Sequence, residues 1–501
     1  MEKATITIGK NKQGGLYGNI KIENGKSMPF TKFIIEEKYN GKECEIERIN
    51  GQIEKIIVEG ESLKLKDSNS INTKKINKKQ IGGYSKQSES SHQQEKTDIF
   101  KAKAPYNFVP LNKVIISYDD KTDRFNRYNE DGNTGYINIE IEAKTPIFIS
   151  ESDHDGDYYK FYNQAGKFRI PGSSLRGLIR TMVEITSWGK FEFFNDDYLY
   201  YRTFTDKARS VKKSIGEHIR QDYSNKSECE KFDIPTSIFG TEKKKDSKDS
   251  FAPFASRVFF EDAFLTDDSL DKEEQENKIP QTLAGPKPTS FQLYLDQNGI
   301  NDINKLKHYN DDADIRGNKL YWHKDLEDWK TETFNEKMDK KIRPINQGAK
   351  FKGKIRFDNL SDIELGALLF AVDLPEHYAH KIGMGKPLGL GSIRINAKLY
   401  LSDRQKRYKD LFAEWNGLQE KSGEIKNIKL KFEQFILKEL DNGTGKYKSL
   451  WDTERLKEFA RMLDFSNKPN KEKVSYMKLD MDLKLNEFKN RDALPRPIKI
   501  N

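Results

Sequence analysis

Hydroxyl, glycine and arginine residues are grouped at the start of a predicted amphipathic helix, in the segment FRIPGSSLRGLIRTMVEITSW at 168–188. Ser173 and Ser174 follow a Pro-Gly turn, and either hydroxyl suits a helix N-cap. Arg176 and Arg180 lie one turn apart, although the first turn of a helix usually favours acidic residues. Hydroxyls, free backbone N–H groups and cationic side chains together are what a phosphate group needs. The alternative is a capped core helix with solvated arginines.

A second candidate phosphate site is the glycine-rich segment KIGMGKPLGLGSIRI at 381–395. It is neither a Walker loop nor a dinucleotide fingerprint, because no Gly-Lys-Ser/Thr follows and the next predicted element is a strand. Glycines let the backbone approach a flat or anionic ligand, and lysines add charge. The alternative is a tight connection that needs positive φ, and the neighbouring His377 and His380 are interpreted as contacts to the same ligand or as structural histidines. The predicted ligand contacts are Lys381, Gly383, Gly385, Lys386, Gly389 and Gly391.

The composition predicts a soluble, cytoplasmic protein of roughly two to four domains. The net charge of +9 over 501 residues is compatible with nucleic-acid binding without requiring it. Only two cysteines occur, which excludes a disulfide framework and a cysteine-based zinc site. No apolar run is long enough to span a bilayer and no signal peptide is recognisable, so we expect no membrane partner.

Composition shifts divide the chain into four predicted regions. Residues 1–61 contain short alternating segments separated by glycine turns, which predicts a small OB-like β-barrel, either a nucleic-acid binder or a structural adaptor. Residues 62–103 are rich in Lys, Ser, Asn and Gln without apolar periodicity, which predicts a basic flexible linker. Residues 104–400 hold a core with strands and helices, and residues 401–501 are mainly helical by pattern.

The core follows the order strand, helix, strand, strand, helix, strand. This is the order of a ferredoxin-like α+β domain, the unit of RNA-recognition modules. A capping box, Ser361 and Glu364, opens the second helix. Insertions are predicted at about 190–255 and 267–348, the second with a projecting hairpin at Gly285–Leu295. The predicted strands are 136–150, 256–265, 350–357 and 392–401.

Three motifs in this order, IPGSSLRGLIR, SIFGT with ASRVFFEDAFL, and IGMGKPLGLGSIRI, resemble the RAMP superfamily of CRISPR-associated proteins. PYNFVPLNK, IRGNKLYWH and LPRPIKI resemble a larger variant from type III-D loci that carries a long insertion. The resemblance covers roughly residues 104–400 and part of the C-terminal region. It implies a backbone subunit of a type III effector complex that binds CRISPR RNA and target RNA beside other RAMP subunits. The helix start and the glycine-rich segment would grip the guide backbone, and the hairpin would separate bases.

The resemblance also implies a possible nuclease centre. In several relatives, an aspartate in the loop after the first core strand cleaves target RNA with a divalent metal. The matching loop at 151–159 contains Asp153, Asp155 and Asp157, whose hard oxygen ligands suit Mg²⁺. The alternative for this loop is a solvated acidic segment. For the whole chain, the alternatives are a standalone endoribonuclease and a non-catalytic end-capping adaptor.

Overall fold

The structure is a computed structural model that divides into two compact units, Met1–Gln93 and Gln94–Asn501. No helix in the described residues combines the length and apolar character needed to cross a membrane. The structure describes residues 2–10, 16–22, 27–29, 36–49, 52–59, 61–63, 99–118, 132–151, 158–191, 198–202, 208–224, 232–241, 253–274, 276–283, 289–326, 329–331, 340–403, 409, 412, 417–441, 443–480 and 485–501.

The smaller unit is one antiparallel sheet with the strand order β3-β2-β1-β4-β5-β6. Alternate residues of its strands, such as Ile6, Ile20 and Ile46, are buried in a shared core, as period-two patterning requires. Most of the predicted linker, residues 64–98, lies outside the described residues. The strands are β1 Glu2–Lys10, β2 Leu16–Ile22, β3 Ser27–Pro29, β4 Glu43–Ile49, β5 Gln52–Val58 and β6 Glu61–Ser62.

The larger unit is a mixed α/β structure. Its helices are α1 Gly172–Thr186, α2 Ile234–Phe239, α3 Phe291–Tyr294, α4 Asp362–Val372, α5 Ile425–Asp441 and α6 Glu454–Leu463. Its strands are β7 Tyr106–Pro110, β8 Val114–Ile115, β9 Asn133–Ala143, β10 Tyr158–Tyr159, β11 Asn163–Gln164, β12 Lys167–Ile170, β13 Tyr198–Arg202, β14 Ala208–Ser214, β15 Asp222–Tyr223, β16 Val258–Phe260, β17 Ala263–Leu265, β18 Gly317–Tyr321, β19 Lys341–Ile342, β20 Lys350–Leu360, β21 His380–Lys381, β22 Ser392–Ser402, β23 Leu418–Glu420, β24 Leu479–Asp480 and β25 Leu485–Asn486.

The main sheet of this unit runs β11-β12-β17-β20-β9-β22-β21, with antiparallel neighbours. Alternate residues of the central strand β9, including Ile137, Ile139 and Ile141, are fully or almost fully buried in the main core. The apolar stripe of α1 and the nearly all-apolar α4 pack into the same core. The other residues of β9 are only partly buried, so the sheet is covered mainly on one face.

Two predicted strands are shorter than their patterns suggested. The strand predicted at 136–150 ends at Ala143, because residues 144–149 turn away to pair with the glycine-rich segment. The strand predicted at 256–265 is divided into β16 and β17 by Glu261 and Asp262. Asp262 interrupts the strand because its carboxylate accepts hydrogen bonds from Arg169 and from the backbone N–H of Gly172, both next to the start of α1.

The prediction of a projecting hairpin is wrong for its FQLYL part, residues 291–295. Residues 291–294 form the single helical turn α3, and the side chains of Phe291 and Leu295 are buried in a satellite core. A buried apolar turn cannot project from the surface as a wedge. Residues 284–288 of the predicted hairpin lie outside the described residues.

The capping box of α4 is confirmed. The Ser361 hydroxyl accepts a hydrogen bond from the Glu364 N–H (3.1 Å), and the Glu364 carboxylate accepts one from the Ser361 N–H (2.9 Å). The helical patterns at 429–440 and 453–463 in the C-terminal region correspond to α5 and α6, where apolar residues at helical spacing are buried. A third helical pattern, at 404–415, lies almost entirely outside the described residues.

Glu364 also forms a buried ion pair with Arg257, which precedes β16. Neither side chain has any exposed surface. The Arg257 guanidinium also donates to the backbone carbonyl of Asn359 (2.6 Å) and to the hydroxyl of Ser237 in α2 (2.8 Å). The pair therefore ties α2, α4 and the main sheet together, as a fully satisfied buried charge can.

Candidate functional site

The helix α1 begins earlier than predicted, and this corrects the N-cap assignment. Pro171 is the N-cap residue and Gly172 the first residue of the helix, so Ser173 and Ser174 lie inside the first turn. The Asp262 carboxylate accepts the Gly172 N–H at 2.8 Å and so replaces a serine cap. Neither serine hydroxyl has a hydrogen-bond partner among the described residues. Both hydroxyls are therefore available to a ligand.

The two arginines of α1 bind protein groups. The Arg176 guanidinium donates to the Phe239 carbonyl at the end of α2 (2.9 Å) and lies 5.5 Å from the Phe239 ring centroid. Burial, reinforced by the charge of Arg180, lowers the pKa of Arg176. Arg180 pairs with Glu184 one turn later at 2.8 Å. Neither arginine lines the cleft described below, so their contact with RNA stays a prediction.

The glycine-rich segment is a tight connection packed against residues 144–149. Gly383, Gly385, Gly389 and Gly391 all have positive φ, between 69° and 98°. A Cβ atom at Gly391 would lie 1.8 Å from the Ile382 carbonyl oxygen, and one at Gly383 would lie 2.5 Å from that of Phe148. Glycine is thus required at these two positions by the fold itself. The remaining feature that suits a ligand is the pair Lys381 and Lys386 at the two ends of the turn.

Helix α1 and the glycine-rich segment face each other across a cleft of about 590 Å³, which we call the central cleft. Its polar lining includes Ser173 and Ser174 from α1, Lys319 from β18, and Lys381 and Lys386 from the glycine-rich segment. The structure therefore brings both predicted phosphate sites together. Lys319 was not predicted, because it lies in a region interpreted as an insertion.

Gly177 also lines the central cleft, in the middle of α1. A Cβ atom at this position would meet no atom within 4 Å among the described residues, so the fold does not require a glycine there. A glycine in a helix interior costs about 1 kcal/mol relative to alanine. Its absent side chain instead leaves room for a ligand to approach the helix.

Lys381 is a lysine whose ammonium form no described carboxylate stabilises. Its ammonium donates to the Gly389 carbonyl and the Ser392 hydroxyl, both at 3.2 Å. Burial lowers its pKa well below the ordinary value of a lysine, and the nearby Lys324 and Lys386 push it in the same direction. No carboxylate of the described residues lies within ion-pair distance of it. An anion in the cleft would supply the missing charge.

Lys386 repeats this pattern at the other end of the turn. Its ammonium donates to the Gly383 carbonyl at 3.0 Å, and burial lowers its pKa. The part of the chain that the structure describes offers it no carboxylate partner either. Two lysines without counter-ions beside free hydroxyls form a site for an extended anion.

His323 positions Lys381 through Ser392 and was missed in the sequence. It is buried, with Nδ1 2.8 Å from the Ser392 hydroxyl and Nε2 3.1 Å from the Ala379 carbonyl. Because a carbonyl only accepts, Nε2 carries the proton and Nδ1 accepts from Ser392. Burial and the charge of Lys381 lower the pKa of His323 well below its ordinary value. A neutral His323 thus orients the hydroxyl towards itself and leaves its oxygen free to accept from Lys381.

His380 was interpreted as either a ligand contact or a structural histidine, and its contacts are those of a structural histidine. It is buried, and its Nε2 lies 2.8 Å from the Ala371 carbonyl near the end of α4. Burial lowers its pKa to about 4. The ring of His377 lies against that of Tyr378, with centroids 4.0 Å apart.

His380→Gln is expected to reduce the loss of stability in acid. The pKa of His380 is about 4 in the folded state against 6.5 for an unperturbed histidine, so the unfolded state binds one more proton between these values. The free energy of unfolding therefore falls as the pH is lowered through this window, by about 3 kcal/mol at pH 4. Glutamine can still donate to Ala371 but cannot be protonated.

Urea unfolding between about pH 7 and pH 4 measures this difference. All five tryptophans lie after residue 93, so tryptophan fluorescence follows the larger unit. If the free energy of unfolding of the variant and of the wild type changes with pH in parallel, His380 is not the group that lowers stability in acid.

The predicted catalytic residues Asp153, Asp155 and Asp157 lie outside the described residues, as does His154. Ser150, two residues before the first undescribed position, lines the central cleft. Within the described ranges, no group of three His, Cys, Asp or Glu side chains could hold a metal ion. The catalytic role of the aspartates and the use of Mg²⁺ stay predictions.

The family model of the RAMP superfamily matches residues 140–394, just over half of the chain. The match includes α1, the glycine-rich segment and most of the main sheet, and it leaves out the smaller unit and helices α5 and α6. No curated protein matches the chain. RAMP proteins generally bind CRISPR RNA and act in complexes of several subunits. This chain belongs to the RAMP superfamily.

Proposed function

We propose that this protein is a CRISPR-RNA-binding subunit of a type III interference complex and that its central cleft holds the guide backbone. One observation carries the proposal: Lys381 and Lys386 lie in the cleft without a carboxylate partner among the described residues, facing the free hydroxyls of α1. A phosphodiester chain is an extended anion whose oxygens would accept from both lysines and both serines. Such contacts are independent of base sequence, as a guide-binding subunit requires.

The remaining predicted contacts would add to this grip. Arg176 and Arg180 lie on the same helix as the two serines, and phosphate would replace their present partners, Phe239 and Glu184. Backbone groups of the glycine-rich segment would contact the RNA where it crosses the turn. Gly177 would allow the chain to pass close to α1.

We also propose a ferredoxin-like core and an OB-like smaller unit. The chain order β9, α1, β16–β17, β20, α4, β22 and the spatial order β17-β20-β9-β22 support the first assignment. The pairing of β1 with both β2 and β4 supports the second. The limits of the four predicted regions, and membership of the III-D subtype with other RAMP subunits as partners, belong to the same proposal.

Cleavage of target RNA is the catalytic part of the proposal. Asp153, Asp155 and Asp157 would hold Mg²⁺, which would polarise the scissile phosphate. The family resemblance supports this role, as does the position of Ser150 at the central cleft immediately before the loop that contains the aspartates. The aspartates would then lie beside the bound guide.

Incubation of the full-length protein with labelled guide and target RNA, in Mg²⁺ or EDTA, tests the proposed function. We expect the protein alone to bind guide RNA without cutting it, and Mg²⁺-dependent target cleavage to require the assembled complex. Cutting by the protein alone would favour the standalone endoribonuclease. A cleavage ladder unchanged by Asp153→Ala, Asp155→Ala and Asp157→Ala would leave a non-catalytic subunit. Failure to bind guide RNA in any form would contradict the proposal.

A further inference from the structure

A second cavity, of about 470 Å³, opens beside the central cleft and is lined by four tyrosines. Tyr106 and Tyr321 are direct partners on the paired strands β7 and β18, with ring centroids 6.3 Å apart. Tyr294 comes from α3, with its ring centroid 5.9 Å from that of Tyr106, and Tyr476 comes from the C-terminal region. We call these four residues and Lys319 the tyrosine pocket. Chain segments far apart in sequence thus build one aromatic site.

Lys319 is the lysine that contacts the tyrosines of the pocket most closely. Its ammonium lies 3.8 Å from the ring centroid of Tyr106 and 3.4 Å from the Tyr294 hydroxyl. Burial lowers the pKa of Lys319, and no carboxylate in the described residues pairs with it. The ammonium of Lys386 lies 5.7 Å from the ring centroid of Tyr321, on the side of the central cleft. The pocket therefore offers positive charge and aromatic surface, and no acidic side chain is among the described residues that line it.

The pocket is open to solvent at its rim. Tyr476 is 37% exposed and Met384 is 56% exposed, although both residues are large and apolar enough to be buried. Burial raises the pKa of Tyr476 to about 12, with Tyr321 and Tyr294 contributing, so its hydroxyl is neutral at physiological pH. A volume of 470 Å³ lies in the range of roughly 300–1,000 Å³ that is typical of small-molecule sites.

The central cleft and the tyrosine pocket adjoin each other. Both are lined by Lys319, Tyr321, Gly383, Met384 and Lys386. A ligand whose backbone follows the cleft can therefore place one planar group in the pocket without leaving the protein surface.

We propose that the tyrosine pocket holds one unstacked nucleotide of the RNA bound in the central cleft. Its base would stack on Tyr476 or Tyr321, and its phosphate would contact Lys319 and Lys386. Aromatic stacking on bases tolerates any sequence, because every base has a flat face. The inference rests on the proposed function and adds a base-binding site to it. Tyr106 and Tyr476 lie outside residues 140–394, the part that matches the family model.

Crosslinking of the full-length protein to single-stranded RNA carrying thiouridine at successive positions tests the proposal. We expect crosslinked peptides that contain Tyr476 or Tyr321, in addition to peptides of the central cleft. Tyr476→Ala should weaken RNA binding by roughly 5- to 150-fold, the range measured for the loss of one base–aromatic stack. Tyr476→Phe keeps the ring and should bind within about twofold of the wild type. Tyr447→Ala is the matched control, because it also removes a tyrosine ring but Tyr447 does not line the pocket.

The possible outcomes separate the two proposals. Crosslinks confined to the central cleft, with wild-type affinity in Tyr476→Ala, would overturn the base pocket and leave the proposed function intact. An equal loss of affinity in Tyr476→Ala and Tyr447→Ala would also overturn it. Saturation of the pocket by free nucleoside monophosphate without competition from RNA would reassign the site to a free nucleotide. Absence of RNA binding by the wild type would overturn both proposals.

Discussion

Lys381→Met is expected to stabilise the free protein and to weaken its binding to RNA. Methionine keeps most of the lysine stem but removes a partly buried amine whose ammonium form has no carboxylate partner among the described residues. We expect the free energy of unfolding to rise by about 1–3 kcal/mol. The loss of the lysine leaves no orphan acceptor, because Thr145 also donates to the Gly389 carbonyl (3.0 Å). A phosphate would lose a charged partner, which weakens binding by roughly 10- to 100-fold.

Urea unfolding followed by tryptophan fluorescence and equilibrium RNA binding measure the two effects. The wild type should gain stability relative to the variant as the pH rises towards 10.5, because the unfolded state then holds a proton that the folded state has lost. Lys438→Met, at an exposed position of α5, is the control and should change neither quantity appreciably. A destabilised variant with unchanged RNA affinity would make Lys381 a structural residue.

Arg257→Met is expected to lower the free energy of unfolding of the larger unit by about 3–5 kcal/mol. The substitution would leave the Glu364 carboxylate fully buried without its cation, and breaking one side of a buried pair has a cost of this size. The carbonyl of Asn359 would also lose a donor. Unfolding in urea, followed by tryptophan fluorescence, measures the change.

Two further variants isolate the cause. Arg257→Met combined with Glu364→Gln removes the buried charge as well, so we expect it to be more stable than Arg257→Met alone. Arg356→Met breaks the exposed pair with Glu261 (2.9 Å) and should cost less than about 1 kcal/mol. If Arg257→Met is no more destabilising than Arg356→Met, the pair does not hold the core together.

Features of the fold that depend on local spacing could be predicted from the sequence. The apolar spacing of Leu175, Leu178, Ile179, Met182 and Val183 predicts the buried face of α1. Four of these residues are buried, whereas Leu178 is partly buried and lines the central cleft. The Ser361–Glu364 capping box was predicted for the same reason, because both of its hydrogen bonds lie within one turn. The alternation in β9 and β20 likewise predicted strands, since a period of two is visible within a few residues.

Features that depend on distant partners could not be predicted. The start of α1 is set by Asp262, which is 90 residues from Gly172 in sequence. The end of β9 is set by its neighbour, the glycine-rich segment, and not by its own pattern. FQLYL alternates like a strand but forms a helical turn, because its apolar residues are buried together with Ile99 and Leu306 in a satellite core.

The candidate site shows the same division. The serines of α1 and the lysines of the glycine-rich segment were predicted from residue types. That they lie across one cleft from each other depends on the tertiary structure. The lowered pKa of Lys381 and its lack of a described carboxylate partner could not be inferred either, since both depend on which groups surround its amine in space. Lys319 and Tyr321 were missed because their part of the sequence has the pattern of an insertion.

The salt dependence of RNA binding tests the central cleft most directly. The affinity of the full-length protein for a single-stranded guide RNA would be measured over a series of salt concentrations. Four proteins are compared: the wild type, the Lys386→Met variant, the double variant that carries both Lys381→Met and Lys386→Met, and the control variant Lys438→Met. We expect the slope of log affinity against log salt to become shallower by about 0.7 for each phosphate that a variant no longer neutralises, with the control unchanged. Equal slopes and equal affinities in the double variant and Lys438→Met would contradict the assignment of the central cleft to the RNA backbone.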